Sequence, residues 1–282
     1  MPELNFVLPW LGAIFAGAVI GSFLNVVIHR LPLMILAEVA PEEEDAGRLS
    51  LSWPPSHCPQ CGAPIRLRHN IPLVGYAVLG GRCADCRGAI SIQYPLVEVA
   101  GVAAAVLGLW RFGITAEAGL TVALLWALIC VTAIDIRHQL IPDSLSGAIL
   151  WTGLAASALG LRPLSAPDAI LGAVMGYTAL RLLTEAASRL MGREAMGGGD
   201  PKLLAGVGAW VGWQAVPMVF FGACVGGVLV ALPLMALGRI RRRDPFPFGP
   251  FLAAAGAASV FANGILLKLF VDPVGAWTLA HG

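Results

Sequence analysis

The sequence predicts an all-α polytopic membrane protein of about eight transmembrane elements, with a small zinc-binding cytoplasmic domain between the first and the second. Three observations predict it. Of 282 residues, 57% are hydrophobic and only 12% charged, against roughly 25% charged in an ordinary soluble chain, and the mean hydropathy is +0.79. The apolar residues gather into runs long enough to span, or nearly span, a bilayer core of roughly 30 Å. One long segment, 31–94, breaks that pattern and carries four of the six cysteines.

The runs fall at about 8–28, 95–110, 116–134, 145–160, 168–184, 214–237 and 249–270, with a shorter one at 201–211. No Lys or Arg precedes Arg30, so the basic start of a cleaved signal peptide is missing and the first run is expected to stay as a helix. With the N-terminus outside and eight elements alternating, only Arg111, Arg162 and Lys268 of the 18 cations fall on the outer side, as the positive-inside bias requires. Omitting 201–211 would export the cluster "RIRRR" at 239–243, so that short run is expected to cross or re-enter. The organisation is then a first helix (1–30), a cytoplasmic loop domain (31–94) and a transmembrane body (95–282). No repeat of fixed period is evident. A net charge of +1 without a basic stripe excludes a nucleic-acid footprint.

Within the loop, the acidic "PEEEDAGR" reads as a solvated stretch. After it come "CPQC" and "CADC", Cys58, Cys61, Cys83 and Cys86, with glycines close behind at Gly62 and Gly88. Two CxxC turns supply four thiolates, the donor set of a closed tetrahedral zinc site. A pair of disulfides is the alternative, disfavoured in a reducing compartment. A complete cysteine set leaves no open position for catalysis, so the metal's role is to fold a polar loop too small to build a core. His29, His57, His69 and His138 then have no necessary metal role. Cys130 and Cys224 lie inside apolar runs, where cysteine is a small hydrophobe.

Two carboxylates stand at the edges of membrane elements on the inner side. Asp135 ends a run in "AIDIRHQLIPD", and Asp200 opens the short one in "MGGGDPKLL". An ionisable group in an apolar run costs roughly 2.5–3.5 kcal/mol at a helix centre and tends to be functional, whereas Asp143 reads as a plain cap. Locally "GGGDP" is also a turn followed by a helix cap. Two such carboxylates brought together cannot both ionise cheaply. One keeps a proton, which gives a general base for water and a general acid for the scissile group. Gly197, Gly198 and Gly199 would let a substrate backbone approach closely, and Lys202 is a candidate to hold Asp200 ionised or to bind a substrate carbonyl. Membrane carboxylates also mark ion and proton pathways, so a coupled transporter is the rival reading from residues alone, and a zinc-scaffolded assembly factor without chemistry is a third.

Several stretches, in order, resemble one family. "AMGGGDPKLLAGVGAW" is similar to the GxGD motif of the type IV prepilin peptidases, and "DIRHQLIPD" to their first aspartate motif. "GSFLNVVIHRLP", "HCPQCG", "RCADCRGAIS", "QYPLVE" and "FGPFLAAAG" resemble further signatures of the same family. The resemblance implies that Asp135 and Asp200 are the catalytic pair of a membrane aspartic peptidase. It implies substrates that are prepilins or pseudopilins of type IV pilus and type II secretion systems, whose basic leader is cut after a glycine beside an apolar helix. It also implies N-methylation of the new N-terminus from S-adenosylmethionine, in the bacterial inner membrane with the active site facing the cytoplasm. No glycine-rich strand–turn–helix stretch marks a site for that cofactor. Pro201, directly after the aspartate, departs from the motif and removes one amide from the start of the helix. Asn25 is expected to bond between helices, and Glu98 either to face the site or to pair with Arg30.

Overall fold

A computed structural model describes residues 2–39, 49–192, 196–241 and 244–262. Each of the eight apolar runs is a helix: α1 (Pro2–Val39), α3 (Gln93–Phe112), α4 (Ala116–His138), α5 (Asp143–Ala158), α6 (Ala166–Met191), α7 (Gly199–Val211), α8 (Val216–Ala236) and α9 (Gly249–Ala262), with a short helix, α2 (Val74–Val78), and a 3-10 turn (Leu67–His69) in the described part of the loop. Four of them, α1, α3, α4 and α8, are long and apolar enough to cross a bilayer. The chain is an all-α membrane protein. The 13 residues of α7 rise only about 20 Å at 1.5 Å each, less than the hydrocarbon thickness. The acidic stretch 41–48, Arg193, Arg242, Arg243 and the expected continuation of the last helix to 270, with Lys268, lie outside the described residues.

The first helix differs from expectation at its end. It continues past 28 through Pro32 to Val39, and it is Val39 that leads into the loop. A proline removes one amide from the helical ladder without setting the boundary here.

The chain divides into two compact units, at Cys130/Val131. In the first, α1 and α3 meet at bare backbone. A Cβ on Gly21 would lie 2.8 Å from Glu98 Cα, one on Gly17 2.6 Å from Val102 Cα, and one on Gly101 2.9 Å from Gly21 Cα. The "GAVIG" spacing at 17–21 is the small-xxx-small pattern that lets membrane helices touch where apolar side chains gain nothing by leaving lipid. Across α3 and α4, Trp126 Nε1 donates to the Gly101 carbonyl at 3.1 Å, and Thr115 Oγ1 caps α4 by accepting from Ala118 N at 3.1 Å.

The second unit repeats the device. "GAVMG" at 172–176 on α6 faces α7, where Gly172 and Gly208 leave each other's backbone no room for a Cβ and Gly176 approaches the Leu204 carbonyl. On another side, Gly153 of α5 admits the Trp210 ring, whose Nε1 donates to the Ile149 carbonyl at 2.8 Å. Val207 packs on Gly256 of α9. Small residues on nearly every face of "LLAGVGAW" thus allow close neighbours all round, and Leu203 to Trp210 are buried without a break. At the far end of α7, Arg162 donates to the Trp210 carbonyl at 2.9 Å and lies 4.5 Å above its ring. The helix is held along its whole length, which fixes whatever its first turn carries.

Candidate active site and metal centre

Asp135 lies in the last turn of α4, 5% exposed, and Asp200 in the first turn of α7, 7% exposed. The helix cap position is Gly198, so Asp200 is not the cap that local sequence allows. Its Oδ1 is buried with no hydrogen-bond partner among the described residues. Asp135 has a partner: its Oδ2 accepts the Gly249 N–H at 2.9 Å, the first amide of α9. After α4 the chain turns at Gln139, whose φ is +51° and whose Nε2 donates to the Pro245 carbonyl at 3.1 Å. That turn delivers Ile141, which is buried and wedged against two glycines. A Cβ on Gly199 would come within 2.7 Å of Ile141 Cβ, and one on Gly249 within 3.1 Å of Ile141 Cδ1 and 2.8 Å of Asp135 Oδ2. Ile141 therefore spaces the residue before Asp200 from the residue bonded to Asp135, and the two carboxylates lie within range of each other's field.

The three glycines before Asp200 are not alike. None has positive φ, so backbone freedom is not their reason. Gly199 is small because Ile141 occupies its side-chain space. Over Gly198 there is open space, and a Cβ on Gly197 would meet only Asp200 Oδ2, at 3.9 Å. The Lys202 ammonium does not reach Asp200. It sits on both oxygens of Asp143, at 2.8 and 2.6 Å, and Asp143 follows the cap residue Pro142 with no capping bond, so neither residue plays its simplest expected part. Gly249 is the contributor that sequence reasoning missed. Its signal is the "FGPFLAAAG" stretch, which in the sequence carries a family resemblance and no residue role.

The four loop cysteines come together. Their Sγ atoms lie within 4.8 Å of one another, Cys58 and Cys86 at 3.9 Å, and none is joined in a disulfide. Metal–sulfur bonds of about 2.3 Å imply a sulfur–sulfur edge of about 3.8 Å for a tetrahedron, so the cluster could bind a metal. It is built from one turn used twice, 25 positions apart. Cys58 N donates to Ala63 O and Cys83 N to Gly88 O, Gly62 N to Cys58 O and Arg87 N to Cys83 O, Ile65 N to Ser56 O and Ile90 N to Gly81 O. The left-handed residue is Gly62 in the first turn and Arg87, not Gly88, in the second, a repeat that the glycine spacing conceals. The Cys58 thiol is drawn down to about 7 by the amides of Gln60 and then Cys61. Cys61, which the Ala63 amide alone would lower, is pushed up to about 12 by desolvation and by the thiols of Cys86, Cys58 and Cys83. Among the described residues the cluster consists of the four cysteines.

Glu98 is buried, and among the described residues it forms no ion pair. Its Oε2 accepts the Leu73 N–H at 2.7 Å. Arg30 turns instead to the carbonyls of Ser50, Leu51 and Pro54. The proposed Arg30–Glu98 contact is thus replaced by two ties from membrane helices to the loop. Asn25 Nδ2 bonds across to the Tyr94 carbonyl of α3 at 3.0 Å, the interhelical bond expected.

Comparison with known proteins agrees across the length of the chain. Residues 15–112 match the Bacterial Peptidase A24 N-terminal domain, and residues 122–232 match the Type IV leader peptidase family. A protein of Burkholderia pseudomallei described as a prepilin leader peptidase/N-methyltransferase is 44% identical over 260 residues, 88% of this chain and 84% of its own. Proteins of the same description from Pseudomonas aeruginosa and Aeromonas salmonicida are each 42% identical, over 93% of both chains and over 96% and 98%. No solved structure matches. Motifs, fold and relatives coincide, and the chain belongs to the type IV leader peptidase family.

Proposed function

We propose that the chain is a membrane aspartic endopeptidase that cleaves prepilin or pseudopilin leaders, with Asp135 and Asp200 as its catalytic pair, and that it methylates the new N-terminus. One observation carries the catalytic reading: two buried carboxyls on different helices, one holding the Gly249 amide on its Oδ2 and one with a buried oxygen that has no partner among the described residues. An unpartnered polar atom at such a site costs about 1–3 kcal/mol, and a proton shared with the neighbouring carboxyl is its cheapest partner. Asp135, fixed by the Gly249 amide, then serves as the base that takes a proton from water as the water attacks the scissile carbonyl. Asp200 gives its proton to the departing amine. The open space at Gly197 and Gly198 supports an approach of substrate backbone to Asp200. An ion pathway has less to recommend it, because neither carboxyl lies mid-helix.

Cys58, Cys61, Cys83 and Cys86 would hold zinc as a structural ion, with no position left for water. S-adenosylmethionine would supply the methyl group. Among the described residues there is no strand and so no strand–turn–helix cradle for it, and no residue here is assigned to it. The orientation proposed is N-terminus outside, with the cysteine loop and both aspartates facing the cytoplasm of a bacterial inner membrane, where a prepilin leader waits.

Purified protein incubated with a prepilin, with and without S-adenosylmethionine, tests the reading. Mass and N-terminal analysis should show cleavage after glycine in both reactions and a methyl group only with the cofactor. Uncut prepilin in both would sink the proposal.

A further inference from the structure

The loop of the first unit presents an apolar face that none of the described residues covers. Val74 and Val78, one turn apart, share one side of α2 (Val74–Val78), and Ile71 lies just before that helix, its carbonyl accepting from Gly75 N. Ile71, Val74 and Val78 are 49%, 52% and 75% exposed, while Gly75 is buried against the His69 carbonyl. Leu67, in the adjoining single turn Leu67–His69, is 89% exposed. Exposed apolar groups so concentrated mark a contact surface rather than chance.

Two further observations say what it meets. Glu98, in the second turn of the membrane helix α3, holds the amide of Leu73 at 2.7 Å. Leu73 has φ +61° and lies inside a three-residue turn closed by Val74 N to Pro72 O at 2.6 Å, a strained conformation that this carboxylate helps to fix. The residue before Val74 is thereby pinned at the level of the first turns of a membrane-spanning helix, where hydrocarbon gives way to headgroups. The charges agree. Arg66 and Arg68 flank Leu67, both exposed, and residues 49–92 contain four arginines against one aspartate, Asp85.

We infer that the face formed by Leu67, Ile71, Val74 and Val78 rests in the interface of the bilayer the chain spans, with Arg66 and Arg68 on anionic phospholipid headgroups. Apolar side chains beside arginines are the composition of surface-lying segments. Four arginines against one aspartate suit an anionic surface, which favours lipid headgroups as the occupant. The inference does not depend on the catalytic reading.

The test uses the full chain in lipid nanodiscs and reads hydroxyl-radical oxidation at Leu67 and Val78. Discs containing phosphatidylglycerol should lower oxidation at both by about threefold relative to phosphatidylcholine alone. Arg66→Glu with Arg68→Glu should abolish the difference while metal content stays at the wild-type level. If that pair disturbs the loop, Leu67→Asn, at the most exposed position, should weaken protection at Val78 by itself. Equal oxidation of the wild type in both lipids overturns the inference. Protection that arises only when a prepilin is added also overturns it, and makes the face a substrate dock.

Discussion

The two units join their helices in the same way and put the result to different use. In the first, "GAVIG" on α1 meets Gly101 on α3; in the second, "GAVMG" on α6 meets Gly208 on α7. Yet the first pairing supports a loop whose shape comes from four thiols and two ties, Arg30 and Glu98. The second clamps a short helix that is buried almost throughout and carries a carboxyl in its first turn. A metal site can gather distant chain because the ligands themselves provide the folding energy. A carboxyl pair provides none, since burying two acids is unfavourable, so packing must impose it. The glycines explain how one device serves both ends.

The largest effects should separate the units by activity. Asp135→Asn and Asp200→Asn should each lower prepilin cleavage by about 10⁴-fold, since members of a catalytic unit fail together, and leave bound zinc unchanged. Cys58→Ser with Cys61→Ser should do the reverse: metal analysis should fall toward zero while a measurable part of cleavage remains. Zinc at about one per chain in the cysteine variant, or near wild-type cleavage in either aspartate variant, would break the comparison.

Next in size are the glycine contacts. Gly208→Val should separate α6 from α7 and Gly21→Val should separate α1 from α3. Each would cost at least the roughly 1–3 kcal/mol of overpacking, because at both positions the obstacle is backbone, closest at Gly208. Thermal unfolding in detergent measures the loss. Gly208→Val should remove cleavage, because it displaces the helix under Asp200, and Gly21→Val should chiefly lower metal retention. Equal failure of both variants in both readouts would show that the units do not act separately.

A smaller effect is expected at Gly249. A methyl group there would lie 2.8 Å from Asp135 Oδ2, so the carboxylate must shift by a fraction of an ångström. Misplacement of that order costs up to about 10²-fold in rate, so Gly249→Ala should lower kcat by roughly 10- to 100-fold with KM little changed. Unaltered kcat would remove Gly249 from the positioning of the pair.

The helices could be read from the sequence because lipid demands long apolar runs, and the runs were there. The cluster of four cysteines was legible because two CxxC pairs declare themselves by type and spacing. The carboxyl pair was legible as residues but not as geometry. That Asp135 is held by a backbone amide 114 positions away leaves no mark beyond a glycine, and that Ile141 separates Gly199 from Gly249 depends on a turn at Gln139 whose positive φ no glycine announces. Glu98 misled for the opposite reason. Its charge suggests a cationic partner, and the structure satisfies it with the amide of Leu73.

The smallest effect concerns Lys202, where sequence and structure pull apart. The sequence makes it a candidate for substrate, while the structure sets it on Asp143 with a side chain 44% exposed against 70% for its partner. An exposed pair of this kind is worth about 0–1 kcal/mol, so neither Lys202→Met nor Asp143→Asn should move the unfolding midpoint by more than a degree or two. Steady-state cleavage distinguishes the two roles. If Lys202 also reaches a leader carbonyl, Lys202→Met should raise KM about fivefold, equivalent to about 1 kcal/mol, with kcat unchanged. Asp143→Asn, which frees the ammonium, should leave KM equal or lower, and the double variant should match Lys202→Met. Identical small effects in both single variants would mean that the pair only joins the starts of α5 and α7. Lys202 would then leave the substrate-binding set, and close approach at Gly197 and Gly198 would be the sole means by which this turn meets its substrate.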